Sequence, residues 1–231
     1  MDIMKEGKVE VFEYVQNLDP EVLRACLDTL ESKKVLIGEG GNAEIFSVES
    51  GRYKNICLKK LRKTPRLIGN DIDTEVNFQD ALIDLGIRTP KVLARLHDVA
   101  KNEKYIIMER INGPSIEDIL LERVKVPEGY KHKEFWRKMK SIVEKMHEEG
   151  DIYHRDLHEG NIMIDTENGC EPVIIDFGTA TRGLGDEYPY GEEAIIMDEN
   201  TGAYTKTKGY YKSDESKIAG LEYRMRFYDR S

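Results

Sequence analysis

The spacing of hydrophobic and polar positions divides the first part of the chain into helical and strand-like stretches. Over residues 9–30, apolar residues recur every three or four positions with a break at Asp19-Pro20, which predicts one or two amphipathic helices. Over residues 34–60 the pattern changes to short apolar runs separated by a glycine cluster and a turn. Short apolar runs bounded by turn residues are typical of strands, so this stretch predicts a three-stranded β-meander.

Helical spacing returns over residues 71–85 and ends at Gly86, a residue type that favours helix C-termini. Residues 91–95 and 105–111 are again strand-like, and Asn112-Gly113-Pro114 ends the second of these runs. Five strands and one helix therefore predict a small α+β lobe.

The rest of the chain is mainly helical by the same criterion. Helices are predicted at residues 115–123, 133–149 and 214–228, with short strands at residues 162–164 and 173–175. Residues 179–213 are rich in Gly, Thr and Tyr and are predicted to be irregular. We therefore divide the chain into an N-terminal helical extension (1–33), a β-rich lobe (34–113) and a reduced helical lobe (114–231).

The amino-acid composition mainly excludes several classes of protein. The 231 residues carry a formal net charge of −9, and no stretch approaches the roughly 18 apolar residues that a membrane span needs. An acidic chain without a long basic run lacks the footprint of a general nucleic-acid binder. Its three cysteines show no metal-ligand spacing. The N-terminus has no secretory signal pattern, so we expect a cytoplasmic protein, although a signal for a specialised secretion system would not be visible.

A glycine-rich turn joins the first two strands of the predicted meander, with the sequence Ile37-Gly38-Glu39-Gly40-Gly41-Asn42-Ala43-Glu44-Ile45. Missing side chains there would let backbone N–H groups approach a polyphosphate. A tight hairpin turn explains the same glycines without a ligand, so this motif alone leaves both interpretations open.

A lysine and a glutamate follow at positions that suit one charged pair. Lys59 ends a strand-like run, and Glu75 lies on the apolar side of the next predicted helix. Together they would form an ion pair that aims the ammonium group at phosphates. A surface lysine is the ordinary alternative, and Lys60 is a rival. Because a strand alternates its faces, only one of the two adjacent lysines enters the site.

Two polar clusters further along carry the most specific signal. The first is Tyr153-His154-Arg155-Asp156-Leu157-His158-Glu159-Gly160-Asn161, and the second is Ile174-Ile175-Asp176-Phe177-Gly178. Phosphoryl transfer needs one carboxylate to orient the attacking hydroxyl, and oxygen ligands for the Mg²⁺ on the triphosphate. Asp156 suits the first task, and Asn161 and Asp176 suit the second.

Glycine loop, lysine, glutamate, HRD-x4-N and DFG occur in the order found in the protein kinase superfamily, which residues 34–178 resemble. The resemblance implies an α+β, two-lobed fold with a β-rich N-lobe and a truncated helical C-lobe, and an enzyme that uses ATP and Mg²⁺. By this resemblance Lys59 contacts the phosphates and Glu75 orients Lys59. The glycines that would cover the phosphates are Gly38, Gly40 and Gly41.

The resemblance also implies a purine site. Met108 would be the gatekeeper, and Glu109 and Ile111 would belong to the hinge that hydrogen-bonds adenine. Apolar side chains would line the purine, although each is equally well explained as ordinary core. These side chains are Ile37, Ile45, Cys57, Met163 and Ile175.

The chain departs from ordinary protein kinases at several points. Ala43 replaces the third glycine, His158 replaces the lysine of serine/threonine kinases, and no APE-like motif follows Gly178. This reduction, with the string IGEGGNAEIF, resembles the compact effector kinases that bacteria deliver by type III secretion, of the OspG and NleH type. The strings GIRTPKVLARL and IIMERINGPSI are similar instead to the kinase of the KEOPS complex, although that family is expected to have Gly where Arg155 stands.

We therefore expect an ATP-dependent protein kinase of the serine/threonine type, and an effector, with a protein substrate, a regulatory protein partner and neither nucleic acid nor membrane as partner. Two alternatives from other classes remain: a KEOPS-like regulatory ATPase or kinase module, and a small-molecule phosphotransferase. Arg155 has two interpretations as well, as the partner of a phosphorylated residue after Gly178 or of a local carboxylate.

Overall fold

The chain forms two compact units in a computed structural model, which describes residues 3–6, 9–13, 18–32, 35–40, 43–48, 53–62, 72–183, 194–197, 204–207 and 213–228. The first unit comprises residues 1–113 and 173–179, and the second comprises residues 114–172 and 180–231. The segment around Asp176 thus belongs to the first unit, whereas the sequence pattern assigned it to the helical lobe. None of the helices in the described ranges has the length and hydrophobicity of a membrane-spanning segment.

A seven-stranded antiparallel sheet is the framework of the first unit. Its strands are β1 (Ile3–Glu6), β2 (Val9–Glu13), β3 (Val35–Glu39), β4 (Ala43–Ser47), β5 (Ile56–Leu61), β6 (Val92–Asp98) and β7 (Glu103–Glu109). Their spatial order is β1-β2-β6-β7-β5-β4-β3. All five predicted strands are present, and the predicted α+β, kinase-like class is confirmed.

Helix α1 (Pro20–Glu31) covers one face of this sheet. Its N-terminus is capped by Asp19, whose carboxylate accepts a hydrogen bond from the Glu21 N–H at 2.9 Å. The helix packs on the sheet through one apolar cluster, whose fully buried members include Cys26, Leu58 and Ile107. The amphipathic helix predicted around Pro20 is therefore confirmed, and its apolar side is buried.

Helix α2 (Ile72–Asp84) covers the opposite face. Its Val76 packs in a second apolar cluster with Cys57 and Ile106. Successive strand residues point to opposite faces of a sheet. Cys57 and Ile106 therefore pack on the α2 side, whereas their neighbours Leu58 and Ile107 pack on the α1 side. The sheet is thus the middle layer of the first unit.

The N-terminal segment differs from the prediction, because residues 3–6 and 9–13 are strands and only residues 20–31 are helical. β2 pairs with β6, with Val11 opposite Leu96, and so extends the sheet. The run Lys8-Val9-Glu10-Val11 alternates charged and apolar residues with the period of a strand, a signal hidden by the three- and four-residue spacings around it. The extension is therefore not helical throughout.

The second unit contains α3 (Ile116–Leu120), α4 (His132–Glu148) and α5 (Asp214–Met225). Its short strands are β8 (Ile152–Tyr153), β9 (Ile162–Asp165), β11 (Thr181–Arg182), β12 (Ala194–Met197) and β13 (Tyr204–Thr207). Strand β10 (Glu171–Ile174) carries the chain from the second unit into the first. α4 packs against α5, both contribute fully buried side chains such as Trp136 and Met225, and Lys140 Nζ lies 2.7 Å from Glu222 Oε2.

The pairing of β12 with β13 corrects the prediction that residues 179–213 are irregular, since Ile195 lies opposite Lys206 in a regular antiparallel ladder. Four-residue strands give only two repeats of the alternating pattern, which is too short a signal against a background of Gly, Thr and Tyr.

A buried amide on α2 provides a first test of the first unit. Gln79 is 1% exposed, and within the described part of the chain neither its Nε2 nor its Oε1 has a hydrogen-bond partner. A buried polar group without a partner costs about 1–3 kcal/mol of stability. Gln79→Leu should therefore raise the free energy of unfolding by about that amount, measured by denaturant titration.

The matched control is Gln79→Glu, which keeps the shape but buries a carboxylate and should lower the free energy of unfolding. A Leu variant less stable than the parent would show that the Gln79 amide has partners in solution.

Candidate functional site

The centre of the first unit is a lysine held between two carboxylates. Lys59 Nζ donates to Glu75 Oε1 at 2.6 Å and to Glu75 Oε2 at 2.7 Å. It also donates to Asp176 Oδ1 at 2.8 Å. Lys59 and Glu75 are buried, whereas the Asp176 side chain is 35% exposed. The predicted ion pair of Lys59 with Glu75 is present, and Asp176 joins it.

The alternation of β5 decides which of two adjacent lysines takes this place. Lys60 is directed to the other face of the sheet, where its Nζ lies 2.8 Å from Glu103 Oε1 and 3.8 Å from Glu44 Oε2. As the strand alternation predicts, only one of the two adjacent lysines, Lys59, lies on the face of β5 that meets Glu75 and Asp176.

The charges around Lys59 keep its ammonium group protonated. Burial by itself would lower the pKa of Lys59, but the carboxylates of Glu75 and Asp176 outweigh that effect, and the pKa lies above its ordinary value. Burial also raises the pKa of Glu75, against the opposing effect of the Lys59 ammonium group. The exposed member of the cluster is Asp176.

The backbone at Asp176 has a positive φ of 63°, which non-glycine residues rarely adopt. Such strain persists only where surrounding contacts hold it. One such contact is the buried Thr89, whose Oγ1 donates to the Ile174 carbonyl at 3.3 Å, two residues before Asp176.

Three of the residues that the kinase resemblance assigns to a purine site lie together in the first unit. Ile45, Cys57 and Met108 belong to the apolar cluster under α2, and Cys57 is opposite Met108 in the sheet. Burial raises the pKa of Cys57 to about 12, so its thiol stays neutral. Ile37 on β3 is 40% exposed, and Ile175 is half-buried directly before Asp176.

The glycines of the turn are only partly described. Gly38 lies on β3, and a Cβ added there would be 3.5 Å from the Ile45 side chain, which is ordinary contact. The Gly40 N–H donates to the Ala43 carbonyl at 2.9 Å, as in a hairpin. Gly41 lies outside the described residues. Both interpretations of the turn therefore stay open.

Glu109 and Ile111 follow at the end of β7. The Glu109 N–H donates to the Lys91 carbonyl at 2.9 Å, and the Glu109 carbonyl has the Cys57 thiol as a weak donor at 3.8 Å. Because a carbonyl oxygen has two lone pairs, it retains capacity for a stronger donor. Ile111 is buried at 6% exposure.

The second unit holds the other predicted catalytic residues in one loop. Asn161 is buried, its Nδ2 donates to the Asp156 carbonyl at 2.9 Å, and its N–H donates to the His158 carbonyl at 2.9 Å. The Asp156 N–H in turn approaches His154 Nδ1 at 3.3 Å. Asp156 and Asn161 are thereby fixed relative to each other. Met163 follows on β9, where it bridges to Ser115.

A residue that the sequence analysis did not single out, Asp214, anchors this loop. It is fully buried at the first turn of α5, and its carboxylate accepts from the His154 N–H at 2.8 Å and from the Arg155 N–H at 3.2 Å. His147 Nε2 lies 3.2 Å from the same carboxylate. The signal for this helix start is Ser213-Asp214-Glu215-Ser216, whose outer serines form a capping box.

Arg155 and His158 each have a hydrogen-bond partner in the second unit. The Arg155 guanidinium donates to Thr181 Oγ1 at 3.5 Å, a hydroxyl in the segment after Gly178 where one interpretation places a phosphorylated partner. Both interpretations of Arg155 stay open. His158 Nδ1 accepts from the Gly160 N–H at 3.0 Å. A Cβ at residue 160 would lie 2.9 Å from the His158 ring, so a residue other than glycine there would displace that ring.

Each unit contains an oxygen-bearing side chain of the kind that Mg²⁺ binds. The contact of Asn161 Nδ2 with the Asp156 carbonyl leaves the amide oxygen of Asn161 as a possible donor, and Asp176 presents a part-exposed carboxylate. Hard oxygen donors are what Mg²⁺ takes from proteins, together with water and substrate phosphates. No group of three or more His, Cys, Asp or Glu side chains in the described ranges could hold a metal ion alone. Each of the two residues, taken alone, thus offers the kind of oxygen donor that Mg²⁺ takes beside water and phosphate oxygens.

The chain belongs to the protein kinase domain family, which matches residues 32–198. It is therefore a phosphotransferase of a family that uses ATP. An EKC/KEOPS complex subunit of Schizosaccharomyces pombe is 27% identical over 181 residues, which cover 73% of this chain and 74% of that protein.

Two other relatives are much longer than the matched part. A serine/threonine-protein kinase of Caenorhabditis elegans is 28% identical over 73% of this chain, but the match covers only 21% of that protein. A probable bifunctional tRNA threonylcarbamoyladenosine biosynthesis protein of Methanococcus vannielii is 29% identical over 66% of this chain and 27% of its own length. The similarity to the KEOPS subunit favours the KEOPS-like alternative over the main prediction, and these relatives give the effector hypothesis no support.

The lysine assignment can be tested with a matched pair of variants. Lys59→Met should abolish phosphoryl transfer, whereas Lys60→Met, on the other face of β5, should retain most of it. Lys59→Met also leaves Glu75 buried without its cation, which costs about 3–5 kcal/mol of stability. The double variant Lys59→Met/Glu75→Gln should regain stability but not transfer, measured by thermal unfolding and labelled ATP. Equal loss of transfer in Lys59→Met and Lys60→Met would contradict the assignment.

The anchor at Asp214 is tested by Asp214→Asn, which keeps the shape but presents an N–H group to backbone N–H donors. We expect a loss of about 1–3 kcal/mol in the free energy of unfolding and a slower transfer rate, since the loop carrying Asp156 loses its support. The control is Glu215→Gln at the next, exposed position. Wild-type stability and rate in Asp214→Asn would refute the anchoring role.

Proposed function

We propose that this chain is a Mg²⁺- and ATP-dependent phosphotransferase that works as a KEOPS-like kinase or ATPase module together with a protein partner. The observation that carries this proposal is the similarity to the Schizosaccharomyces pombe EKC/KEOPS complex subunit, because it covers about three quarters of both chains. The relative's printed description as a complex subunit supports a protein partner for this chain.

The nucleotide-binding part of the proposal rests on the first unit. Lys59, fixed by Glu75, would contact the phosphates, and its raised pKa keeps it cationic for that task. Gly38, Gly40 and Gly41 would approach the phosphates through their backbone. Ile37, Ile45, Cys57, Met108, Met163 and Ile175 would line the purine, and the backbone of Glu109 and Ile111 would hydrogen-bond it.

The transfer step is assigned to the second unit and to Asp176. When bound, Mg²⁺ would neutralise charge that develops on the phosphate oxygens. Asn161 and Asp176 would hold the metal ion through their oxygen atoms. Asp156 would orient the attacking hydroxyl, of an acceptor or of water, and accept its proton. The hydrogen bond from Asn161 to the Asp156 carbonyl supports a fixed spacing between these two roles.

A second candidate is an ordinary serine/threonine protein kinase that phosphorylates a protein acceptor. It is favoured by Arg155, which stands where the KEOPS-type kinase is expected to have Gly, and whose guanidinium reaches Thr181. Transfer to a small molecule is a third candidate, which the lack of an APE-like motif after Gly178 allows.

Two isosteric variants separate the acidic roles. Asp176→Asn should weaken Mg²⁺-dependent nucleotide binding, because an amide is a poorer ligand than a carboxylate for a hard cation. Asp156→Asn should leave that binding nearly intact but reduce transfer or hydrolysis by about 10²-fold or more. The measurements are calorimetric ATP titration with and without Mg²⁺, and release of labelled phosphate. Normal turnover in Asp156→Asn would remove the catalytic assignment.

The wild-type protein distinguishes the candidates. A KEOPS-like module should bind Mg-ATP and hydrolyse it slowly, with the rate changed by a stably bound protein partner and little label on other proteins. A serine/threonine kinase should instead transfer label from ATP to protein acceptors in a lysate. Failure to bind Mg-ATP at all would refute both.

A further inference from the structure

The loop between α2 and β6 makes an unusual set of contacts within the first unit. Arg88 Nη1 donates to Glu109 Oε2 at 2.8 Å, and Arg88 Nη2 donates to Glu109 Oε1 at 2.5 Å. The Lys91 N–H donates to Glu109 Oε2 at 3.2 Å. Arg88 Nη1 also reaches the Thr89 carbonyl at 2.9 Å. The Glu109 carboxylate is thus held by a bidentate contact with the guanidinium group and by one backbone N–H. Bidentate geometry fixes the orientation of the carboxylate as well as its distance.

Glu109 is held through its main chain as well. Its N–H donates to the Lys91 carbonyl at 2.9 Å, and the next N–H, of Arg110, donates to the Asn55 carbonyl at 2.7 Å. These contacts lie on both sides of the Glu109 carbonyl group, whose oxygen keeps capacity for a strong donor. The side-chain contact with Arg88 therefore completes a set of restraints on the direction of one carbonyl.

The neighbouring residue Thr89 forms a hydrogen bond with a different segment of the first unit. Its hydroxyl donates to the Ile174 carbonyl, so it restrains the strand that leads to Asp176 rather than the end of β7. Two adjacent side chains of one loop, Arg88 and Thr89, thus hold two different parts of the first unit. This arrangement supplies a matched control, because loss of either side chain removes a contact of the same loop.

We propose that Arg88 is a positioning residue that sets the base selectivity of the nucleotide site by holding Glu109, an inference that rests on the function proposed above. A carbonyl oxygen at a fixed position accepts a hydrogen bond from the exocyclic amino group of adenine. Guanine carries an oxygen at the corresponding ring position, so the two acceptors would repel each other. Arg88 thus favours adenine nucleotides without contacting the base.

Calorimetric titration with Mg-ADP, Mg-GDP and magnesium tripolyphosphate tests this role. Arg88→Met should weaken Mg-ADP binding about three- to tenfold, the scale of one hydrogen bond, and leave binding of tripolyphosphate, which has no base, within about twofold. The preference for ADP over GDP should fall by a similar factor. Thr89→Val should keep the wild-type ratio of ADP to GDP affinity, although it also loses a hydrogen bond in the same loop.

A double-mutant cycle shows whether Arg88 acts through Glu109. Glu109→Ala keeps the backbone carbonyl but removes the side chain, so it should reproduce the Arg88→Met effect, and the double variant should lose no more than either single variant. Arg88→Lys keeps the charge but not the two-pronged geometry and should restore only part of the selectivity.

The outcomes separate this inference from the proposed function. A wild-type protein that binds no Mg-ADP contradicts the function and, with it, this role. A wild-type protein that prefers ADP, with an unchanged ADP to GDP ratio in Arg88→Met, overturns the role of Arg88 alone. Equal weakening of ADP and tripolyphosphate binding in Arg88→Met, or a loss of selectivity in Thr89→Val as large as in Arg88→Met, also overturns it, since the effect would then be general to the loop.

Discussion

The organisation of the first unit depends on one buried ammonium group held between carboxylates. Removing a charged group from water costs several kcal/mol, so a buried lysine persists only where opposite charges and hydrogen bonds compensate it. The compensating groups of Lys59 come from two other segments, Glu75 from α2 and Asp176 from the turn after β10. The layers of helix and sheet can therefore be understood as the means of bringing these three segments to one point.

The second unit applies the same principle to main-chain groups. The carboxylate of Asp214 is fully buried and is compensated by two backbone N–H groups of the loop that carries Asp156. In the first unit, buried Glu75 holds Lys59 next to Asp176, whose φ is positive. In the second unit, buried Asp214 holds the backbone N–H of Arg155, whose φ is also positive. The cost in desolvation is accepted where precise placement of a functional side chain is required.

Features of the fold and site could be predicted from the sequence where a residue pattern was long or dense enough to be recognised. Lys59 and Glu75 were predictable because strand and helix periodicity fixes which side each faces, and the loop of Asp156 was predictable because its polar residues are dense. The strand Val9–Glu13 was missed because its period-two pattern borders a helical one. Asp214 and the grip of Arg88 on Glu109 depend on contacts between segments far apart in sequence, for which a single chain carries no local signal.

The first unit is discontinuous in sequence, since residues 173–179 return to it after the chain has passed through much of the second. Lys59 and Glu75 are 16 residues apart, whereas Lys59 and Asp176 are 117 apart. During synthesis from the N-terminus, the first ion pair has all its atoms long before its third member has left the ribosome. A gene cut after Gly113 would encode a polypeptide that lacks Asp176, so gene fusion or recombination can pass on a complete first unit only by carrying the intervening residues with it.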